Sequence, residues 1–76
     1  MLEKLISELS DILECDKHAI SADTHFKELE QWDSLAHVST VSMIDDVFDT
    51  VLSEDEIKRV STVADLASLV ESKIQA

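Results

Sequence analysis

The chain contains neither glycine nor proline in 76 residues, and this absence constrains its fold more than any other feature. Small β-sandwiches and barrels use these two residues in their tight turns and bulges. Apolar residues make up 45% of the sequence, too many for a disordered acidic tail, which is poor in aliphatic residues. The sequence therefore predicts one folded helical domain that spans residues 1–76.

The charge excludes several classes of partner. Seventeen acidic side chains stand against six Lys and Arg, giving a net charge of -11. This balance argues against nucleic acids and anionic membranes and favours a basic partner protein. Cys15 has no partner for an internal disulfide, the N-terminus lacks the apolar core of a signal peptide, and no stretch approaches the roughly 20 apolar residues of a membrane span. We therefore expect a cytoplasmic monomer.

Apolar residues at helical spacing predict two helices in the first two thirds of the chain. The first runs from about Leu2 to Glu14. The second begins after Asp33, which is well placed as N-cap with Ser34 as the first helical residue, and ends near Asp49 or Thr50. The apolar positions are Leu2, Leu5, Ile6, Leu9, Ile12 and Leu13 in the first helix and Leu35, Val38, Val41, Ile44, Val47 and Phe48 in the second.

Capping signals predict two further helices. Ser53 and Glu56 form a Ser-x-x-Glu capping box, which opens a short helix that continues to about Val60. A final helix begins at Thr62, and its apolar face consists of Val63, Leu66, Leu69, Val70 and Ile74. The sequence thus predicts an all-α fold, a small four-helix bundle with three longer helices and one short helix.

The first two helices are joined by a long connection, residues 15–33, in which no period persists. Connections beyond roughly 12 to 15 residues are uncommon unless they are functional. Residues 21–24 offer side chains that bond their own backbone in turns. We expect Ile20, Phe26 and Leu29 to hold this loop against the core.

Residues that could support catalysis or metal binding are few. Without glycine the chain has neither a phosphate-binding glycine loop nor an EF-hand. Cys15 and His18 have a metal-like C-x-x-H spacing, and His25 and His37 complete a set of four, but this signal is weak and we predict no metal site. A bundle this small has little room for both a substrate pocket and an oxyanion hole. We therefore expect no catalytic residues and no enzyme activity of the chain alone.

The most informative site is Asp33-Ser34-Leu35, where the long loop meets the second helix. The free N–H groups and the positive end of the helix dipole favour an anion attached to Ser34, such as a phosphodiester. Asp33 could cap the helix or help to hold a metal ion while a phosphate is delivered. Plain structural capping explains the same residues, so the local sequence leaves both interpretations open.

Further segments with recognisable sequence features follow this site along the chain. Phe48-Asp49 and the acidic turn 53–56 follow Asp33-Ser34-Leu35 in order, and residues 60–66 read VSTVADL. On these features the stretch from Trp32 to Val70 resembles the acyl carrier protein family, the small phosphopantetheine-bearing carriers with a D-S-L attachment motif. The segment before it fits the family's first helix and long first loop, so that the resemblance covers essentially the whole chain.

The resemblance implies specific roles. The Ser34 hydroxyl would accept 4′-phosphopantetheine from coenzyme A through a separate phosphopantetheinyl transferase, and Asp33 would assist recognition or magnesium placement in that transferase. The thiol of the arm, and not Cys15, would carry the cargo as a thioester. The chain would be a non-catalytic carrier acted on by an acyl- or aminoacyl-activating ligase, a ketosynthase or an acyltransferase with basic docking patches.

The chain departs from the fatty-acid carriers of this family at several positions. Gln31-Trp32 replaces the usual glycine before the motif, and we expect Trp32 to be partly buried, the alternative being an exposed partner contact. The acidic residues of the second helix occur near its C-terminus, where the negative end of the helix dipole disfavours carboxylates. We therefore interpret Asp45 and Asp46 as docking charges for basic partners, with a solvated polar face as the alternative. His37 could contact the phosphate when protonated or could simply be exposed. The predicted docking residues are Leu35, His37, Val38, Asp45 and Asp46.

Thr40 bears on the cargo. It lies on the flank of the apolar stripe, at a position where fatty-acid carriers tend to be aliphatic. Burying unpaired hydroxyls is unfavourable, so a polar lining favours a short or polar cargo over a long acyl chain. The residues Trp32-Asp33-Ser34-Leu35 look more like stand-alone carriers of secondary or cell-surface biosynthesis than like the fatty-acid carrier. The rival hypothesis is an acidic interaction module without prosthetic group, in which Asp33 only caps a helix.

Overall fold

The computed structural model describes residues 1–74 and confirms the all-α bundle. Its helices are α1 (Leu2–Leu13), α2 (Ser34–Phe48), α3 (Glu54–Arg59) and α4 (Val63–Ile74). α1 packs against both α2 and α4, and α2 also contacts α4. The bundle measures 32 × 23 × 21 Å. Among these 74 residues no helix is both long and apolar enough to cross a membrane.

The core forms where the apolar faces of the helices meet. α1 contributes Leu5, Leu9 and Leu13, and Phe26 from the first connection is fully buried among them. α1 ends one residue earlier than predicted, because Glu14 takes the left-handed conformation at its C-cap. Its amide then bonds the carbonyl of Asp11. The remaining buried apolar residues are Ile20, Ala36, Met43, Ile44, Leu52, Ile57, Val60, Val63, Leu66, Ala67 and Val70.

α2 forms as predicted, but its buried face differs from its apolar stripe. The buried residues are Ala36, Thr40, Met43 and Ile44, whereas Leu35 is 72% exposed and Val38 59% exposed. The reason is that the apolar residues from Leu35 to Val47 follow one another at a constant interval of three residues. With 3.6 residues per turn, each such step rotates backward by about 60°. The series from Leu35 to Val47 therefore winds around the helix instead of following one side.

The two later helices confirm their predicted caps. Ser53 accepts a hydrogen bond from the Glu56 amide, and Glu56 accepts one from the Ser53 amide, which completes the capping box of α3. At the start of α4, Asp65 donates its amide to Thr62 and accepts from the amides of Ser61 and Thr62. Those two amides lower the pKa of the Asp65 carboxyl. Ile74 was predicted on the buried face of α4 but is 49% exposed, because it lies at the helix end.

The long first connection is ordered by local bonds and by apolar anchors. It contains two short 3₁₀ turns, Lys17–Ala19 and Phe26–Glu28. The predicted turn at residues 21–24 is closed by a hydrogen bond from the Ser21 amide to Thr24 Oγ1. The carbonyls of Ala22 and Thr24 accept amides at the start of α4. Ile20 and Phe26 are buried and Leu29 is partly buried against the core, as predicted, so the loop is fixed just before it reaches Ser34.

Candidate functional site

Ser34 lies at the first position of α2 and is exposed. Asp33 is the N-cap, as predicted, and its carboxylate accepts the Ala36 amide at 2.8 Å. The Asp33 carbonyl accepts the His37 amide. These two bonds leave the amides of Ser34 and Leu35 for other acceptors, because the first turn of a helix offers them no intrahelical partner. The site thus combines an accessible hydroxyl with the positive end of a helix dipole.

A groove opens beside Ser34, between α2 and α3. Its volume is about 440 Å³. Trp32 forms one wall of the groove and is partly buried, as predicted. Its ring contacts the ring of Phe26 edge to face, with 5.1 Å between the ring centroids. His37 is half-buried and lies in a similar edge contact with Trp32 at 6.2 Å. The groove residues are Lys27, Trp32, Asp33, Ser34, His37, Val38, Glu54, Ile57 and Lys58.

The groove is far less acidic than the rest of the chain. Two of the six basic side chains, Lys27 and Lys58, line it together with the acids Asp33 and Glu54. Lys27 Nζ donates to the carbonyls of Ile57 and Lys58 at 3.0 and 3.1 Å, which fixes α3 against the connection. The two lysines offset the two acids, so the groove accepts an additional negative charge more readily than the other acidic surfaces do. Sequence reasoning missed these lysines, because neither shares a local pattern with Ser34.

One exposed side of α2 carries four of the five predicted docking residues. At about 100° per residue, all exposed residues of α2 except Val47 fall within one third of the helix circumference. We call this the outer face of α2; it consists of Ser34, Leu35, Val38, Ser42, Asp45 and Asp46. The structure brings the two predicted docking charges onto the same side as Ser34, beyond an exposed apolar pair. His37 is the exception, since it faces the groove and not the outer face.

The residues with a metal-like spacing are not brought together. Cys15 follows the end of α1, His18 is in the first 3₁₀ turn, and His37 stacks near Trp32. His25 lies next to Glu28, 3.3 Å away. Within residues 1–74 no three His, Cys, Asp or Glu side chains are grouped so that they could share a metal ion.

The sequence model of a protein family described as "Phosphopantetheine attachment site" matches residues 3–70. The chain belongs to the phosphopantetheine attachment site family. A curated relative, the acyl carrier protein of Lactobacillus acidophilus, is 28% identical over 72 residues, which make up 95% of this chain and 90% of that protein.

As a member of this family the chain is a carrier protein, and its prosthetic group is covalently attached 4′-phosphopantetheine. The residues at the start of α2 fit such a group. An exposed hydroxyl stands at a helix N-terminus, where the free amides and the dipole favour a phosphate. Trp32, Val38 and Ile57 give the adjoining groove apolar walls, and Lys58 adds a positive charge. The group would supply a thiol at the end of a long arm.

Proposed function

We propose that this chain is an acyl carrier protein that holds an acyl or aminoacyl group as a thioester on 4′-phosphopantetheine attached to Ser34. The observation that carries the proposal is the position of Ser34: an exposed hydroxyl at the first residue of α2, within a chain that matches the family over residues 3–70. The curated relative is itself named an acyl carrier protein.

In this proposal the protein positions the group and performs no bond chemistry of its own. Asp33 holds the first turn of α2 through the Ala36 amide, which keeps the Ser34 and Leu35 amides directed at the phosphate. The Asp33 carboxylate also offers an oxygen ligand for magnesium in the transferase complex. The reactions that load and remove the cargo belong to partner enzymes. A cytoplasmic setting and a monomeric state stay predictions.

We further propose that partners dock on the outer face of α2. Leu35 and Val38 are large apolar side chains that remain 72% and 59% exposed. Asp45 and Asp46 extend the same face with two carboxylates, and residues 34–52 contain no Lys or Arg. A matching partner presents an apolar depression near the serine and basic residues about 15 Å further along the helix axis.

Loading with coenzyme A tests the attachment. The purified chain is incubated with coenzyme A, magnesium and a broad-specificity phosphopantetheinyl transferase, and its intact mass is measured. We expect a gain of one phosphopantetheinyl group in the wild type and none in Ser34→Ala. Ser42→Ala, an exposed serine on the same face of α2, is the matched control and should load normally. No gain in the wild type, or an equal gain in Ser34→Ala, would support the acidic interaction module instead.

Charge reversal tests the docking surface. In Asp45→Lys/Asp46→Lys we expect a lower kcat/KM for acyl loading by a partner ligase, because like charges would then face each other across the interface. The matched control is Glu71→Lys, an exposed acid on α4 outside the outer face of α2. Equal kcat/KM values for the double variant and the wild type, with unchanged circular dichroism, would show that Asp45 and Asp46 do not take part in docking.

A further inference from the structure

The buried hydroxyl of Thr40 has no hydrogen-bond partner among the residues that the structure describes. The residue is fully buried in the middle of α2, and within residues 1–74 its Oγ1 is the buried side-chain oxygen or nitrogen that has no hydrogen-bond partner. A threonine inside a helix ordinarily donates its hydroxyl to the carbonyl three or four residues earlier. Here neither the His37 nor the Ala36 carbonyl receives that bond.

The other buried polar side chains are satisfied locally. Ser10 Oγ donates to the Ser7 carbonyl at 2.8 Å, and Thr50 Oγ1 donates to the Phe48 carbonyl at 3.0 Å. Both of these buried hydroxyls thus bond a carbonyl two or three residues earlier, as the Thr40 hydroxyl does not. A buried group without a partner in a native structure calls for an explanation, and one such explanation is a ligand that supplies the missing partner.

The position of Thr40 relative to Ser34 fits a tethered ligand. The two residues are six positions apart on α2, about 9 Å along the helix axis. His37 precedes Thr40 by three positions, so it lies over Thr40 on neighbouring helix surface, and it lines the same groove as Ser34. The opposite wall of the groove is α3, a helix of six residues with Ile57 as its buried residue. Thr40 is fully buried and is not one of the residues that line the groove, so cargo tethered to Ser34 reaches its hydroxyl only by passing His37 into the core between α2 and α3.

We propose that the Thr40 hydroxyl recognises the cargo, and that the carrier preferentially holds a short acyl group bearing a hydrogen-bonding substituent, such as a hydroxyl, near its thioester. This inference rests on the proposed function. A polar substituent gives Oγ1 the partner that the fold lacks, whereas a plain aliphatic chain leaves Oγ1 unpaired beside it. Cargo selectivity then comes from a polar group inside the bundle.

A pair of matched cargoes tests the proposal on the full-length chain. Butyryl- and 3-hydroxybutyryl-4′-phosphopantetheine are transferred to the Ser34 hydroxyl from the corresponding acyl-coenzyme A by the broad-specificity transferase, with adenosine 3′,5′-bisphosphate as the leaving group, and each product is checked by intact mass. Thermal unfolding is then recorded for both loaded forms. We expect the 3-hydroxybutyryl form to melt higher than the butyryl form by about 4 to 8 °C, the shift that one net hydrogen bond causes in a domain of this size.

Two valine variants test whether the Thr40 hydroxyl causes this difference in melting temperature. In Thr40→Val, which keeps the side-chain shape and removes the hydroxyl, we expect the two loaded forms to melt together. In Thr50→Val, the matched control at a buried threonine with a local partner, the difference should persist. If the difference is absent in the wild type or survives in Thr40→Val, the cargo inference is wrong while the attachment to Ser34 stands. If no mass is gained, both the attachment and the cargo inference fail.

Discussion

Two acidic residues adopt a backbone conformation that most proteins give to glycine. Glu14 at the end of α1 has φ 55° and ψ 43°, and Asp49 at the end of α2 has φ 53° and ψ 43°. Helices commonly end in this left-handed conformation, but a side chain with a Cβ is strained there. The chain contains no glycine, so both helix ends are less stable than they would be with glycine at these positions.

Replacement of Glu14 by glycine tests this cost. We expect Glu14→Gly to stabilise the fold by about 1 kcal/mol, because glycine adopts the left-handed conformation without steric strain. Chemical denaturation gives the change in the free energy of unfolding. Glu71→Gly is the matched control: Glu71 is exposed within α4, where glycine should instead cost about 1 kcal/mol. Equal effects of the two substitutions would contradict the argument.

The unpaired hydroxyl of Thr40 leads to a prediction for the chain without cargo. Thr40→Val removes a buried hydroxyl that has no partner within residues 1–74, so we expect it to stabilise the unloaded protein by about 1 kcal/mol. Thr50→Val should destabilise it by a similar amount, because it removes the bond to the Phe48 carbonyl. Paired urea titrations measure both changes. A destabilising Thr40→Val would indicate that the hydroxyl is satisfied in solution.

The residues that sequence reasoning placed correctly are those with local causes. Asp33 and Ser53 cap helices through hydrogen bonds to residues three positions later, so the local sequence is enough to predict their roles. Lys27 bonds carbonyls some thirty positions away, and no local pattern encodes such a contact. The position of Thr40 on the helix is evident from the sequence, but its lack of a partner depends on the side-chain conformation and on the surrounding core.

Among the elements, α3 depends most on side chains from elsewhere. It has six residues, and Ile57 is the one that it buries. Two lysines from other parts of the chain hold it: Lys27 donates to the Ile57 and Lys58 carbonyls, and Lys73 of α4 bonds Glu56 at 2.6 Å and the Val51 carbonyl at 2.8 Å. An isolated helix of this length is unstable in water, so these contacts decide whether α3 forms a wall of the groove.

Removal of one of these lysines should loosen α3. In Lys27→Met we expect faster amide hydrogen exchange in residues 54–59 and a loss of about 1 kcal/mol in stability, because charged donors to two carbonyls are lost while the aliphatic stem is kept. Lys17→Met, at an exposed lysine of the first 3₁₀ turn, is the control and should leave this exchange unchanged. Unaltered exchange in Lys27→Met would show that α3 does not depend on Lys27.

The bond from Lys73 makes the stability of α3 depend on pH. Together with the Ser53 amide, Lys73 lowers the pKa of Glu56 from 4.5 to about 2. A carboxyl with a lowered pKa in the folded state stabilises the fold above its unfolded pKa, and this contribution disappears as the pH falls towards the folded value. We therefore expect the difference in Tm between the wild type and Glu56→Gln to be constant above pH 5 and to shrink between about pH 4.5 and pH 2.

This comparison isolates Glu56, because the other carboxyls titrate in both proteins. Glutamine keeps an oxygen that can accept the Ser53 amide, so the variant removes the charge and retains the cap. Differential scanning calorimetry across the pH range measures the two melting temperatures. A difference that stays constant down to pH 2 would show that the Glu56–Lys73 pair has no pH-dependent role.

At the level of elements, the sequence predicted where helices occur better than which sides are buried. The caps and the apolar spacing predicted the starts of all four helices, and the ends of the first three, to within about two residues, the usual uncertainty of helix ends. The stripe of α2 was misleading because its residues wind around the helix, and only the packing of α1 and α4 determines which part is covered. The exposed apolar pair Leu35 and Val38, which the proposed docking face requires, is a consequence of that packing.

For the whole molecule, the acidic charge is hardly compensated by internal pairing. Within residues 1–74 the ion pairs are Lys4–Glu8, His25–Glu28 and Lys73–Glu56, and the second of these requires a protonated histidine. Seventeen carboxylates thus face one another across a body 32 Å long at most. This self-repulsion opposes the compact state.

Screening of this repulsion should stabilise the fold. At 0.01 M salt the Debye length is about 30 Å, so carboxylates repel across the entire bundle, whereas at 0.15 M it is about 8 Å and only near neighbours interact. We expect Tm to rise between these two NaCl concentrations, and to rise further with millimolar Mg²⁺ or with mild acidification towards pH 5. Asp45→Asn/Asp46→Asn removes two exposed carboxylates and should show a smaller salt-dependent rise than the wild type. Coinciding melting curves at low and moderate salt would show that the charge of -11 serves interactions with partners without weakening the fold.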